Sequence, residues 1–353
     1  MKGTLLLGAM RNEGPFILEW VAWYRMLGFE NILIMHNDCT DHSPQLLRLL
    51  EKAGVISAKR HTPDKDQPPQ MTAYRAARSH PLVKTCDWMF TCDTDEFLVI
   101  HKGDGTVKAL LDGADRRFRG MAIHWLIYGN AEEEDWRDDF VHRRFLRSAW
   151  EKIPQNNCFK SFVYKPLDFG RWRPHAPKFW RGEGAWDTGT NRWVLSNERW
   201  FEAFHPTQNA LNGTDNALIT HKEAHLNHYI LQTREQFAFK KGTPCAAELK
   251  QRYTDDFFTR FDRKGRENLS ALKYRQAFDA AYDALVAIPG VLRLHHLCCA
   301  DFVAAMCDKR GDDPSKDPRF RQHMEIANAL PRHGKDVSVR PAPVAQSGVP
   351  ETE

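Results

Sequence analysis

Short apolar runs and amphipathic stretches take turns along the first 130 residues. Thr4 to Met10 is almost wholly apolar, which predicts a strand buried on both faces. Arg11-Asn12-Glu13-Gly14-Pro15 breaks the run, and Pro15 suits the first position of a helix. Phe16, Trp20, Tyr24 and Leu27 recur at helical spacing until Gly28 stops them. Asn31 to His36 predicts a second strand, ended by the polar turn Asn37 to Asp41. Ser43-Pro44 opens a second helix that carries Leu46, Leu47, Leu49 and Leu50 and closes at Gly54. Val55 to Arg60 predicts a third strand, Gln70 to Ser79 a third helix and Trp88 to Cys92 a fourth strand.

Strands alternating with helices predict an α/β fold with a parallel sheet covered by helices. Ligands then bind beyond the carboxyl ends of the strands. Three polar clusters fall at those ends: Arg11 to Glu13, Asn37 to Asp41, and Asp93-Thr94-Asp95-Glu96. The last follows a buried strand and runs straight into apolar Phe97 to Ile100, so the acids are drawn into a partly enclosed place. Crowded carboxylates repel one another and lose solvation. A hard divalent cation, shared with a substrate phosphate, would offset that cost. Neither G-x-G-x-x-G nor G-x-x-x-x-G-K-[ST] follows the first strand, so the usual dinucleotide and P-loop phosphate cradles are missing.

Beyond residue 130 the pattern is less regular. Gly120 to Tyr128 continues the sheet, and the acidic stretch Ala131 to Asp139 follows, either a solvated loop or the carrier of an acceptor-side base. Lys160 to Pro166 predicts another strand, and Trp172 to Trp186 a long aromatic loop. Leu269 to Ile288 predicts a long helix and Ala300 to Lys309 a shorter one. From Pro331 the composition predicts a disordered tail.

The 353 residues are 42% hydrophobic and 27% charged, with a formal net charge of +4. That mild basicity permits anionic ligands without demanding them. No recognised nucleic-acid module accompanies it, so no nucleic-acid partner is expected. The basic, aromatic region from Lys240 to Arg266 suits a solvated helical face, with an anionic lipid surface or acidic glycan as the alternative. The eight cysteines are scattered without C-x-x-C, which predicts reduced thiols and a cytoplasmic protein, at most peripheral at the membrane. His295-His296 beside Cys298-Cys299 would suit a soft metal, but no second ligand cluster has recognisable spacing. The pair is therefore read as a buried helix edge.

Four segments taken together resemble the family 2-like glycosyltransferases. They are Arg11-Asn12-Glu13 with Glu19-Trp20, Tyr24-Arg25 and Gly28; Asn37 to Asp41; Gln70 with Tyr74; and Asp93-Thr94-Asp95-Glu96-Phe97. The likeness is greatest to a subgroup with an R-N-E start and a D-x-D-E-F motif, related to family 92. The resemblance implies a GT-A fold, with a donor half over 1–130, an acceptor half over 131–242 and a helical C-terminal extension over 243–330. It implies transfer of a sugar from a nucleotide donor, a UDP-sugar in preference to a GDP-sugar, onto a glycan or lipid-linked hydroxyl. Asp93 and Asp95 would hold Mn²⁺ or Mg²⁺ with His228, which lies in a matching His225-Leu226-Asn227-His228-Tyr229 segment; His225 is the alternative ligand. Arg11, Asn12, Glu13, Asp38, Asp41, Gln70, Lys160, His175 and Lys241 would contact the nucleotide-sugar. Glu96 would orient the metal site or pair with Arg11. The expected stereochemical course is inversion, which needs a base near the acceptor hydroxyl; Asp187 is preferred over Glu183. A sugar nucleotidyltransferase and a non-catalytic carbohydrate-binding protein are the competing readings.

Overall fold

The structure, a computed structural model, describes residues 3–206 and 211–332. Its centre is a nine-stranded sheet. The strands are β1 (Thr4–Met10), β2 (Asn31–His36), β3 (Ser57–Arg60), β4 (Trp88–Thr91), β5 (Glu96–Ile100), β6 (Gly120–Ile127), β7 (Phe159–Tyr164), β8 (Trp193–Leu195) and β9 (Ala224–His228). Along the sheet the order is β3-β2-β1-β4-β7-β6-β9-β5, and β8 shares the outer edge of β6 with β9. The main helices are α1 (Ile17–Met26), α2 (Ser43–Lys52), α3 (Pro69–Ala77), α4 (Arg234–Lys240), α5 (Arg275–Val286), α6 (Val291–Arg310) and α7 (Pro318–Ala329). This is an α/β single-sheet domain with a helical C-terminal part, as the sequence predicts.

The parallel expectation holds for β3, β2, β1 and β4 and again where β9 and β8 flank β6, but it fails at β7 and β5. β7 runs antiparallel to both β4 and β6, and β5 runs antiparallel to β9. The reason lies in one short connection. Only Cys92 to Asp95 joins β4 to β5, too few residues for a crossover to a parallel neighbour. From Thr91 to Glu96 the chain reaches about 17 Å at most. Yet four strand spacings separate β4 from β5 along the sheet, about 19 Å if it were flat. The sheet therefore curls until its far edge closes on the acidic turn. That curl brings β7, β6 and β9 around Asp93 to Asp95.

The strand residues divide by parity, as a sheet covered on both faces requires. Leu6, Ile32, Ile34, Trp88 and Phe90 face the core under α1, α2 and α5. Leu5, Leu7, Leu33, Met35 and Met89 face the core under α3 and the 169–204 loops. The aromatic loop is not wholly irregular: Phe169–Arg171 and Lys178–Trp180 form a small antiparallel pair. The shorter helix expected from Ala300 begins nine residues earlier, at Val291.

The C-terminal helices pack on the same core. Phe278 of α5 lies against Trp23 of α1. A Cβ on Gly14 would stand 2.4 Å from Cβ of Cys298, so α6 sits directly on the β1–α1 turn and only glycine fits there. Among the described residues no single helix is long and apolar enough to cross a membrane. All eight cysteines are free. The tail expected from Pro331 falls, from residue 333 on, outside the described residues.

Candidate active site

The acidic turn is held from below by one helix. Three aromatic side chains of α1 donate to backbone carbonyls on either side of it. Trp20 Nε1 reaches Asp93 O at 2.9 Å, Tyr24 Oη reaches Glu96 O at 3.0 Å, and Trp23 Nε1 reaches Leu98 O at 2.9 Å. At about 1 kcal/mol net each, these bonds fix the backbone from which Asp93, Asp95 and Glu96 project.

Glu96 is the buried floor of the site. One oxygen accepts from Trp125 Nε1 at 2.9 Å; the other accepts from the Asp93 amide at 2.9 Å and lies 3.2 Å from Lys160 Nζ. Its partner is Lys160 rather than Arg11, which is exposed at the end of β1. Lys160, with a side chain only 1% exposed, also reaches Asp93 Oδ2 at 2.8 Å, and Gln70 Nε2 donates to Asp93 Oδ1 at 2.6 Å. Burial would lower the Lys160 ammonium, but Asp93 and Glu96 outweigh it and hold it charged, well above the ordinary lysine range. Burial pushes Glu96 up against the pull of Lys160.

Asp95 faces a different set of groups. Its carboxylate lies 3.6 Å from His228 Nε2, and its carbonyl accepts from the Tyr229 amide at 2.9 Å. Burial would raise the Asp95 carboxyl, but His228, Lys240 and Arg252 together hold it below the usual carboxylate range. Glu13 shares the same space, with its side chain at Thr94. Burial pushes it up to about 7; Lys240 works against that shift, while Asp95 adds to it. Two buried donors here, His228 Nδ1 and Arg252 Nε, have no hydrogen-bond partner among the described residues. Unpaired buried polar atoms also occur elsewhere in the chain, as at Trp88 and Trp193, so these two matter through their place beside Asp95.

His175 completes the ring of side chains. Its Nδ1 lies 2.8 Å from Phe159 O and so carries the hydrogen, which leaves Nε2 as an acceptor. Burial and then Lys160 lower it to about 4 and keep it neutral. The His175 and His228 rings both meet Trp125 edge-on, at 5.5 and 4.3 Å between centroids.

Of the residues singled out from sequence, Glu13, Gln70, Asp93, Asp95, Lys160, His175 and His228 thus gather in one place. Asn12 and Asp41 lie beside it and serve the backbone: Asn12 Oδ1 accepts from the Thr40 amide at 2.8 Å, and Asp41 caps Ser43 and Gly14. Asp38 is exposed at the end of β2, in a left-handed conformation with φ of 43°. His225 points the other way, to His101 at 3.1 Å. Lys241 lies outside the cluster, paired with Asp255 at 2.6 Å. Its neighbour Lys240 takes the inward place, because it lies four residues after buried Gln236 on α4. Asp187 is exposed, with φ of 65°, its amide on Asn191 O and Arg192 and His205 as its charged neighbours. It makes no hydrogen bond or ion pair with the acidic turn. Lys240, Arg252 and Trp125 are the contributors that the sequence motifs did not assign.

A divalent cation fits one part of this arrangement. Both oxygens of Asp93 are engaged by Lys160 and Gln70, so Asp93 is not a free ligand. Asp95 Oδ1 and His228 Nε2 stand at a chelating separation beside the orphaned donors. They form a two-ligand site of the kind that Mg²⁺ or Mn²⁺ completes with water and phosphate oxygens.

The sequence matches no protein-family model and no curated protein. Solved structures do match. TarS residues 1–349 of S. aureus, in complex with UDP-GlcNAc, is 12% identical, covering 93% of this chain and 92% of that one at a TM-score of 0.32. HddC from Yersinia pseudotuberculosis is 7% identical over 55% of this chain and 91% of that one, at 0.29. A structure described as a glucose-1-phosphate thymidylyltransferase from Bacillus anthracis, with sucrose, is 10% identical over 47% and 72%, at 0.29. Likeness at this level assigns neither activity nor substrate to the chain.

Proposed function

We propose that this chain is a glycosyltransferase that moves a sugar from a nucleoside diphosphate donor to a hydroxyl of a glycan or lipid-linked acceptor. One observation carries the reading. The curl of the sheet gathers Asp95, His228, Lys240 and Arg252 at one edge, with two of their donors unpaired. Such a set suits a diphosphate. Breaking the bond to the sugar leaves one extra negative charge to be stabilised on the nucleotide, and preorganised cations do this best in a water-poor place. Lys240 and Arg252 would supply that charge. Asp95 and His228 would hold Mn²⁺ or Mg²⁺, which when bound acts as a Lewis acid on the diphosphate. Asp93, fixed by Lys160 and Gln70, would shape the donor side and keep Lys160 oriented. The exposed Asp38 at the end of β2 suits a nucleoside hydroxyl, with a UDP-sugar as the favoured donor and a GDP-sugar as the alternative. Transfer is expected to invert the anomeric centre.

Calorimetric titration of UDP, GDP and CMP, with and without Mn²⁺, tests this on the wild type and on Asp95→Asn. Metal-dependent binding of one nucleoside diphosphate, lost in the variant, is the expected result. Pyrophosphate release from a nucleoside triphosphate and a sugar 1-phosphate would replace the reading with a nucleotidyltransferase. Glycan binding without donor binding would replace it with a carbohydrate-binding protein.

A further inference from the structure

The histidine–cysteine pair of α6 has the second ligand cluster that its sequence spacing does not reveal. It comes from two distant segments. Asp138 arrives on the acidic loop after β6, and His323 on α7. The ligand atoms of Asp138, Cys299 and His323 all lie within 4.8 Å of one another. His295, one helical turn before Cys299, stands beside them: its Nε2 is 3.0 Å from the Asp138 carboxylate and 3.6 Å from Cys299 Sγ, though it is not within 4.8 Å of all three.

We propose that Asp138, His295, Cys299 and His323 form a zinc site that clips the C-terminal helices onto the sheet domain. The donor set is the first reason. Two imidazoles, one thiol and one carboxylate make a borderline-soft N₂SO set, which suits Zn²⁺ and not Mg²⁺ or Ca²⁺. Spacing is the second. Donors placed 2.0–2.3 Å from a tetrahedral centre sit about 3.3–3.8 Å apart, and the His295–Cys299 separation falls in that range. Charge is the third. Neither Lys nor Arg forms an ion pair with Asp138 among the described residues; its neighbour is the His295 imidazole. The ion would supply the missing positive charge.

Support around the ligands fits as well. His323 Nδ1 meets His296 Nδ1 at 2.9 Å, so His296 can fix the His323 ring and leave its other nitrogen for the metal. Cys299, His295 and His323 are buried, while Asp138 reaches solvent along a small cleft lined by Trp136, Tyr282 and His295. That cleft is the entry path. On binding, the Cys299 thiol releases its proton to solvent, so affinity rises with pH. The clip would join the acidic loop at 138 to α6 at 295, more than 150 residues away in sequence, and would tie α6 to α7.

The test uses the full chain, stripped with chelator and titrated with Zn²⁺ alone against a chromophoric competitor, then with Co²⁺. The wild type should take about one equivalent of Zn²⁺ and, with Co²⁺, show a thiolate charge-transfer band and tetrahedral visible absorption. Asp95→Asn should keep both, which separates this site from the donor edge. Cys299→Ser should lose the charge-transfer band. Asp138→Asn, on an exposed loop where folding is not at stake, should weaken zinc binding by about 10–100-fold. A wild type that binds less than about a tenth of an equivalent overturns the proposal, as does zinc affinity unchanged in both variants.

Discussion

Two clusters of acidic and basic side chains lie in different parts of the molecule, and they balance their charge differently. At the acidic turn every carboxylate has a cation of the protein's own: Lys160 for Asp93 and Glu96, Lys240 and Arg252 for Asp95. Against the helical extension, Asp138 of the loop after β6 has only imidazoles and a thiol beside it. A protein that builds its own cations into a site makes the site stable when empty and leaves spare positive charge for an anion. One that surrounds an acid with neutral nitrogen and sulfur donors leaves room for a metal ion. The comparison teaches that charge compensation, more than the presence of acids, tells a substrate edge from a metal clip.

The sharpest way to break the contrast is to remove the built-in cation. Lys160→Met leaves Asp93 and Glu96 buried against each other and should cost about 3–5 kcal/mol in urea unfolding. Glu96→Gln in the same chain should recover part of that loss. A Lys160→Met protein as stable as the wild type would mean that the acids do not depend on their lysine. Next in size is Asp95→Asn. It should reduce metal-dependent nucleotide binding at least about 100-fold, since it removes a ligand in the site. Its unfolding midpoint should stay near that of the wild type, because Asp95 keeps its backbone bond to Tyr229.

These two predictions fall on residues of unequal legibility. The acidic turn could be read from sequence because a buried strand ending in three acids is a local pattern, and so could β1, β2 and the helix bearing Trp20 and Tyr24. The cation partners were harder. Lys240 carries a partial signal: it lies four residues after buried Gln236 and three after buried Phe237, whereas Lys241 is only the residue that caps the helix. Arg252 lies in a loop and carries none. The curl of the sheet was legible only in hindsight of the strand order, since nothing in β5 itself says that it pairs with β9. Asp138 and His323 were hidden for the same reason. Ligands brought together by tertiary packing have no spacing to recognise, and an acidic loop reads as solvated until a helix is laid against it.

Chelation separates the two clusters without mutation. After EDTA treatment, Mg²⁺ should restore nucleotide binding but not thermal stability, and Zn²⁺ should restore stability. A metal present at about 100 times its dissociation constant contributes about 2.7 kcal/mol, a few degrees in the midpoint for a chain of this size. If Mg²⁺ alone restored both, the clusters would share one metal. A smaller effect distinguishes the two neighbouring lysines. Lys240→Met should weaken UDP binding about tenfold, the scale of one charge-assisted contact, while Lys241→Met should leave it unchanged.

Glu13 gives the smallest and most specific test of the built-in balance. Its folded-state carboxyl is raised from 4.5 to about 7, chiefly by burial. The folded protein therefore holds a proton there that the unfolded chain releases. The stability this contributes is fully present below about pH 4.5, falls as the pH rises through 7, and is gone above. Glu13→Gln keeps the neutral form at every pH. Its midpoint should match the wild type near pH 5 and exceed it by roughly 2–4 °C at pH 8, with the difference opening between those values. Lys240 opposes the shift, so Glu13→Gln in a Lys240→Met background should show a larger gap that opens from the same pH and keeps widening to a higher one. A gap that stays the same from pH 5 to pH 8 would place Glu13 in contact with enough cation or water to ionise normally, and the edge would then carry one more negative charge to be met by its ligand's metal.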